Sequence, residues 1–274
     1  MSRPDAPSGA RESAARRPVT GAEYVRQLSA RKSDRRTREA FQRVALGLAP
    51  PGGRLFDFGA GTGTDARLYA EHGLTVTAYD VDPEMRAFFA EYCRDFMASG
   101  QVSLQGGTYR EFLVRPAASP GPADRANPAG ADLVTANFAP LNLVEDLPEL
   151  FAKFHALTAP GGRVLASVLS PYFIGDLRYR WWWRNLPRLW RAGHYAVHGH
   201  HGPIIRRRLA SCAAQALPYF TLQRVFPALS RMTKHGGAGF DPRRLGIDVR
   251  DGPGSAWCHA VGGLYMFLLY EKSN

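Results

Sequence analysis

Asp57-Phe58-Gly59-Ala60-Gly61-Thr62-Gly63 is the stretch on which the reading of this chain turns. It continues a short apolar run from Arg54 to Phe58 that reads as a buried strand, and it runs into a helical pattern from Thr62 to His72. Three glycines at alternate positions of a strand-to-helix turn let the backbone bend tightly and approach a ligand that side chains would exclude. A second strand, Leu74 to Tyr79, ends on Asp80. An acid one strand over from the turn is placed to accept hydrogen bonds from both hydroxyls of a ribose.

Outward from this turn, strands and helices alternate. A helix from Pro83 to Ser99 begins on proline, and a third strand covers Gln101 to Gln105. Arg115 to Gly130, with four prolines and two glycines, reads as a surface loop. Ala131 to Asn137 is a strand, Asp146 to Leu157 a helix, and Gly162 to Leu169 a strand after the Pro160-Gly161 turn. A helix from Ile204 to Leu217 and strands at Phe220 to Phe226 and Leu264 to Tyr270 follow. Such alternation predicts an α/β fold: a Rossmann-like, mostly parallel sheet of about seven strands, helices on both faces, and right-handed crossovers. Ligands of such sheets bind beyond the carboxyl ends of the strands.

Residues 1–20, rich in Pro, Gly, Ser, Ala and Arg without periodicity, read as a disordered lead-in. From Ala22 to Leu48 the pattern is helical until Pro50-Pro51-Gly52-Gly53 stops it. The expected organisation is one domain over 21–274, with a cap helix at 21–46 and a helical or irregular lid insertion at 171–203.

The composition, 45% hydrophobic and 22% charged over 274 residues, is that of a globular chain able to bury a core without disulfides. Cys93, Cys212 and Cys258 form no CxxC pair and no metal-ligand spacing, which fits a reducing, cytoplasmic setting and no metal. The N-terminus lacks the apolar stretch of a secretion signal, and the longest apolar run, Ala260 to Tyr270, is too short to cross a bilayer. The net charge of +11 is unevenly spread. Residues 1–43 hold eleven basic and five acidic residues, and residues 171–210 hold eight arginines and one aspartate. Residues 44–170 hold nine basic and fourteen acidic residues, so the ligand-binding part is acidic and nucleic acid is disfavoured as a partner.

Three nucleotide chemistries compete for the glycine turn. No GxxxxGK string followed by Ser or Thr occurs, which removes a P-loop. A dinucleotide site favours GxGxxG, whereas Thr64 stands where the third glycine would fall. Asp57, two residues before the first glycine, would also repel a pyrophosphate. A cofactor with a cationic amine, a sulfonium and no phosphate suits that carboxylate. At this point the chain resembles the class I S-adenosylmethionine (SAM)-dependent methyltransferases, in their small-molecule branch. The resemblance rests on the acid-x-Gly-x-Gly-x-Gly turn at 57–63 and on Tyr79-Asp80-Val81-Asp82-Pro83-Glu84-Met85. It also rests on Asp132-Leu133-Val134-Thr135-Ala136-Asn137-Phe138 and on Leu157-Thr158-Ala159-Pro160-Gly161-Gly162-Arg163, all in order within about residues 50–170.

The resemblance implies that Gly59, Gly61 and Gly63 lie beneath the methionine part of SAM. It places Asp57 near the amino group, Asp80 on the ribose, and Val81 on adenine. Asn137 and Phe138 would face the methionyl end and the acceptor. Where the family often has Gly-Asp after the third strand, this chain reads Gly106-Gly107-Thr108-Tyr109, so Thr108 or Tyr109 would take the adenine contact. The implied reaction is methyl transfer to O, N or C of a small, partly apolar or aromatic metabolite, giving S-adenosylhomocysteine. Two alternatives stay open: an RNA or protein methyltransferase, and a non-catalytic SAM-fold partner or peripheral membrane-associated module. Asn137-Phe138-Ala139-Pro140 departs from the Asn/Asp-Pro-Pro-aromatic signature of amino-methylating nucleic-acid enzymes, which counts against the first.

In the insertion, His194, His198 and His200 are candidate general bases, since imidazole suits proton abstraction near neutral pH. A lid that merely shapes the pocket, or a metal site, are the competing readings. Trp182, Trp183, Leu186, Leu189 and Trp190 fall on one helical face with Arg180, Arg184, Arg188 and Arg191 opposite, and Pro187 is expected to divide the helix. That face packs on the core, walls an apolar acceptor pocket, or makes weak contact with an anionic membrane surface. Arg206-Arg207-Arg208 reads as the solvated first turn of the following helix, with binding of an acidic substrate group or RNA phosphate as the alternative.

Overall fold

A computed structural model of the chain describes residues 32–116, 130–199, 202–228, 247–248 and 263–273. The lead-in at 1–20, the start of the cap helix, residues 117–129 of the proline-rich loop, His200 and Cys258 lie outside the described residues. In chain order the elements are α1 (Lys32–Leu48), β1 (Arg54–Phe58), α2 (Thr64–Glu71), β2 (Thr75–Tyr79), α3 (Pro83–Tyr92) and α4 (Arg94–Ala98). Next come β3 (Val102–Gln105), α5 (Tyr109–Val114), β4 (Ala131–Ala136), α6 (Leu147–Leu157) and β5 (Thr158–Leu169). The insertion holds α7 (Arg180–Ala192) and the strands β6 (His194–Gly199) and β7 (Gly202–Arg207). The chain then forms α8 (Leu209–Ala216), β8 (Phe220–Pro227), β9 (Ile247–Asp248) and β10 (Tyr265–Lys272).

The main sheet has the order β3-β2-β1-β4-β5-β10-β8-β9, and β6-β7 is a separate antiparallel hairpin. The first five strands are parallel, and β10 runs antiparallel between β5 and β8. β1 is central, with Asp57 level with Ala78 on one side and Thr135 on the other. The period-two alternation of a strand splits its side chains between two apolar layers. Phe56 and Phe58 join Tyr79, Phe112, Phe151 and Phe154 on one face, while Leu55 joins Phe41, Tyr69, Val76 and Phe267 on the other. Asp57 therefore shares the side of the sheet that α1 and α2 cover. α1 turns Thr37, Ala40, Phe41, Val44, Ala45 and Leu48 inward at helical spacing. Phe41 packs edge-on against Phe267 at 5.1 Å, and its full burial contributes about 1.5–3 kcal/mol to holding α1 down.

Local chemistry explains most boundaries. Asp82 caps α3 by accepting from Glu84 N at 2.8 Å, with Pro83 at the first helical position. The expected helix from Pro83 to Ser99 is divided at Cys93, which ends α3 and begins α4. β5 starts earlier than expected, at Thr158. Its register jumps from Ala131↔Thr158 to Leu133↔Arg163, so Pro160-Gly161 is an irregularity inside a strand rather than a turn before it.

The insertion departs further from expectation. The helix expected from Ile204 starts only at Leu209, because Gly202–Arg207 pairs with His194–Gly199 as β7. Arg206 and Arg207 are accordingly buried rather than a solvated helical turn. Arg206 Nη1 meets Asp176 Oδ2 at 2.8 Å and the Ser170 carbonyl at 2.7 Å. Arg207 donates to the carbonyls of Leu141, Val144 and Glu145, at the end of the 3-10 turn Pro140–Leu143. α7 is continuous through Pro187. Its buried residues are Trp182 and Leu189, whereas Trp183 and Trp190 are exposed, so the five apolar side chains do not form one buried face. Trp183 and Trp190, seven apart, lie on a stripe turned roughly 80–100° from Trp182.

The Asp176–Arg206 pair pins α7 and the hairpin to the end of β5, and both side chains are about nine-tenths buried. Arg206→Met alone would leave a buried, uncompensated carboxylate and is expected to destabilise the protein by about 3–5 kcal/mol. Pairing it with Asp176→Leu should recover most of that loss, as read from denaturant midpoints of the single and double variants. Equal losses in both would show that the pair does not act as a unit.

Candidate active site

The glycine turn is stitched to the end of β2. Gly59 N and Ala60 N donate to the Tyr79 carbonyl at 2.8 and 3.0 Å, and Gly61 N donates to Asp80 Oδ2 at 2.7 Å. Asp80 Oδ1 accepts from Asp82 N at 2.8 Å. Burial pushes the Asp80 carboxyl up, against these two N–H donors. Each oxygen retains a lone pair for a further donor such as a hydroxyl. Gly63 (φ +80°) has no room for a side chain: a Cβ would lie 2.7 Å from the Phe89 ring and 2.9 Å from Cys93 Sγ. Gly61 (φ +55°) differs, since a Cβ there would meet nothing within 4 Å. Its glycine keeps the left-handed backbone and leaves the space above the turn empty.

Asp57 lies at the end of β1 beneath this turn, fully buried. Its Oδ1 accepts from Thr135 Oγ1 at 2.7 Å, while Oδ2 is buried with no hydrogen-bond partner among the described residues. Burial first, then the neighbouring Asp65 charge, pushes its pKa up to about 7. A buried carboxylate oxygen without a donor is costly. An ammonium group fits it, supplying both the donor and the opposite charge, whereas a phosphate would add repulsion. The residues therefore fit a cofactor with a cationic amine and a ribose.

Asp65 was not apparent from the sequence. In the first turn of α2, its Oδ1 accepts from Arg38 Nη1 (2.8 Å) and Gln42 Nε2 (2.7 Å), and its Oδ2 accepts from Asn137 Nδ2 (2.9 Å). One buried carboxylate thus joins the cap helix, the glycine turn and the loop after β4. That loop is strained: Phe138 (φ +58°) and Ala139 (φ +65°) are consecutive non-glycine residues in the left-handed region, costing of order 1–3 kcal/mol each. Asn137 Oδ1 accepts from Phe138 N, and Ser167 Oγ accepts from Ala139 N at 3.0 Å. The Phe138 ring sits edge-on to Tyr265 at 5.6 Å, with the Arg38 guanidinium 4.6 Å from its centroid. Asn137 and Phe138 are thereby brought to the same cluster as Asp57, both amide ends of Asn137 being engaged in shaping the loop.

Thr108 Oγ1 accepts from Glu111 N as the N-cap of α5, and Glu111 Oε2 accepts from Thr108 N in return. The Tyr109 ring packs with Phe58 and Phe112, and its hydroxyl is buried. Val81 stays half exposed beside Asp80. On β6, alternation turns Tyr195 inward, where its hydroxyl donates to the Pro171 carbonyl, and leaves His194 and His198 exposed. The hairpin itself is fastened over the β4 loop: Asn142 Nδ2 donates to the Ile205 carbonyl at 2.7 Å. No group of three or more His, Cys, Asp or Glu able to hold a metal occurs among the described residues.

Comparison with known proteins places this geometry. Residues 24–216 match the family model described as a methyltransferase domain. Among curated proteins, the malonyl-[acyl-carrier protein] O-methyltransferase of Serratia marcescens is 28% identical over 138 residues, 50% of this chain and 47% of that protein. The chain thus matches about half the length of that relative. Among solved structures, the TehB-like SAM-dependent methyltransferase of Corynebacterium glutamicum has a TM-score of 0.54 at 13% identity, covering 92% of this chain and 98% of that one. The CcbJ methyltransferase of Streptomyces caelestis has a TM-score of 0.55 at 16% identity, covering 90% and 92%. The 1,6-didemethyltoxoflavin-N1-methyltransferase of Burkholderia thailandensis, solved with S-adenosylhomocysteine, has a TM-score of 0.51 at 19% identity, covering 98% and 93%. With a family model spanning well over half of its length, this chain belongs to the methyltransferase-domain family and has the class I SAM-dependent methyltransferase fold.

Proposed function

We propose that this chain binds SAM at the glycine turn and methylates a small, partly apolar or aromatic metabolite. The observation that carries the reading is the buried, partnerless Oδ2 of Asp57 beneath an open glycine turn, with Asp80 one strand over. When bound, SAM supplies the methyl group, which passes in line from its sulfonium to the acceptor. Asp57 holds the ammonium of the cofactor, Asp80 the ribose hydroxyls, and Val81 offers an apolar surface to adenine. Thr108 or Tyr109, after β3, shares the adenine contact with Val81. Asn137 and Asp65 are positioning residues that hold the strained loop against the turn. Phe138 and Tyr265 form the aromatic edge met by the acceptor, which supports an acceptor with apolar surface.

The cap helix and the insertion act by position. α1 is tied to the site through Arg38 and Gln42, and the hairpin through Asn142 and Arg207. Both exclude water and orient the acceptor, and in-line transfer draws much of its rate from such positioning and desolvation. The Serratia relative is named for transfer to oxygen and the Burkholderia structure for transfer to nitrogen, so the acceptor atom here stays at O, N or C.

Calorimetric titration with S-adenosylhomocysteine should show saturable one-site binding, weakened at least about tenfold by Asp80→Ala, as expected for lost hydrogen bonds to a charged group. Undiminished binding by that variant would remove Asp80 from the site. Because the folded-state pKa of Asp57 lies above its ordinary 3.8, its contribution to the stability of the ligand-free protein is present below about pH 4 and lost as pH rises through about 7. Ligand binding has the opposite sign, since the ammonium requires the ionised carboxylate. Affinity should rise up to about tenfold per pH unit below pH 7 and level off above it, and Asp57→Asn should flatten the profile. In an acceptor screen scored by S-adenosylhomocysteine release, His194→Ala and His198→Ala are expected to keep the parental turnover. A loss beyond about tenfold in either would assign a general base to the hairpin.

A further inference from the structure

α7 carries Arg180, Arg184, Arg188 and Arg191 and no acidic residue, and Arg178 precedes it. The one carboxylate between residues 171 and 210, Asp176, is buried against Arg206 and neutralises none of these five. With Trp182 and Leu189 facing the core, Trp183, Pro187 and Trp190 share the next stripe around the helix, bordered by Arg180, Arg184 and Arg191. Trp183 is 56% exposed and Trp190 68%. Trp183 is nonetheless fixed in place: its ring stands edge-on to Trp182 at 4.8 Å, and its indole N–H donates to the Leu177 carbonyl at 2.8 Å. Leu177 and Ile174, in the turn before α7, are exposed as well, and Ile174 is 68% open. The apolar groups thus form a strip along the helix, about 10 Å from Trp183 to Trp190, with a band of arginines beside it.

We propose that this face of α7 docks on an anionic lipid surface. The two indoles enter the headgroup layer while Arg180, Arg184 and Arg191 bind lipid phosphates. Indole rings favour the water–lipid boundary, and guanidinium groups match phosphate oxygens with paired donors. The complementary charge has to come from outside the chain. Residues 1–31 and 229–246 are net basic, and residues 117–129 and 249–262 are balanced, so no segment outside the described residues is net acidic. A strip running along a helix, with basic groups in a parallel band, matches a planar array of phosphates. An acidic protein would instead need carboxylates matched one by one to the arginines. No described helix is long and apolar enough to cross a membrane, so the contact is peripheral.

Sedimentation of the full-length protein with vesicles tests this directly. Binding is expected to vesicles of phosphatidylcholine with about one third phosphatidylglycerol, and not to phosphatidylcholine alone. Trp190→Ser should weaken it at least about fivefold, and Arg180→Glu with Arg184→Glu at least about tenfold. Circular dichroism and the thermal midpoint, unchanged in these surface variants, establish that they fold. Absence of binding to anionic vesicles at low salt would overturn the proposal. Undiminished binding by both variants would do so too, placing adsorption on another basic segment. Retention on polyglutamate beads without vesicle binding would point to an acidic protein partner instead.

Discussion

The carboxylate of Asp65 is the joint on which the site depends. It receives Arg38 and Gln42 from the cap helix and Asn137 from the loop after β4, and it stands two residues beyond the last glycine of the turn. Three segments that are far apart in sequence converge on one buried group. Its charge also reaches Asp57, where it adds to burial in keeping the carboxyl partly protonated near neutrality. Asp65 and Asp57 lie close enough for the charge of one to oppose ionisation of the other. A cation beside the Asp57 carboxyl would relieve that opposition, whereas a phosphate would add to it.

The loop after β4 carries a complementary constraint. Left-handed backbone at both Phe138 and Ala139 is unfavourable for residues with a Cβ, and it persists because the surroundings hold it. Asn137 is bonded at both ends of its amide, Ser167 receives Ala139 N, and Arg38 and Tyr265 flank the Phe138 ring. This strain is held at the carboxyl end of β4, beside the central strand β1. The insertion is then fastened over that loop through backbone carbonyls, by Asn142 and Arg207.

Arginine does two different jobs in the insertion. Arg206 and Arg207 are internal struts whose charge is satisfied by Asp176 and by a row of carbonyl oxygens, whereas the arginines of α7 are left facing outward. In sequence the two sets look alike, since each is a run of basic residues beside apolar ones. What separates them is a partner thirty or more positions away, 30 for Arg206 with Asp176 and 66 for Arg207 with Leu141. The same limit applies to α7 itself. Periodicity locates the helix, but the angle at which the core meets it decides that Trp182 is buried and Trp183 and Trp190 are not.

By itself the sequence determined the alternation of strands and helices, and the glycine turn with Asp57 beneath it and Asp80 beside it. These features are local: period, proline and glycine punctuation, and helix caps are written within a few residues of where they act. Only the tertiary structure decided that Asp65 gathers the site, that Phe138 and Ala139 are strained, that Thr108 caps a helix, and that Arg206 and Arg207 lie in a buried strand. The physical reason is distance along the chain. Arg38 lies 27 positions from Asp65 and Asn137 72 positions from it. A hydrogen bond or ion pair across such separations exists only once the sheet has brought its ends together, and no short window of residues contains both partners.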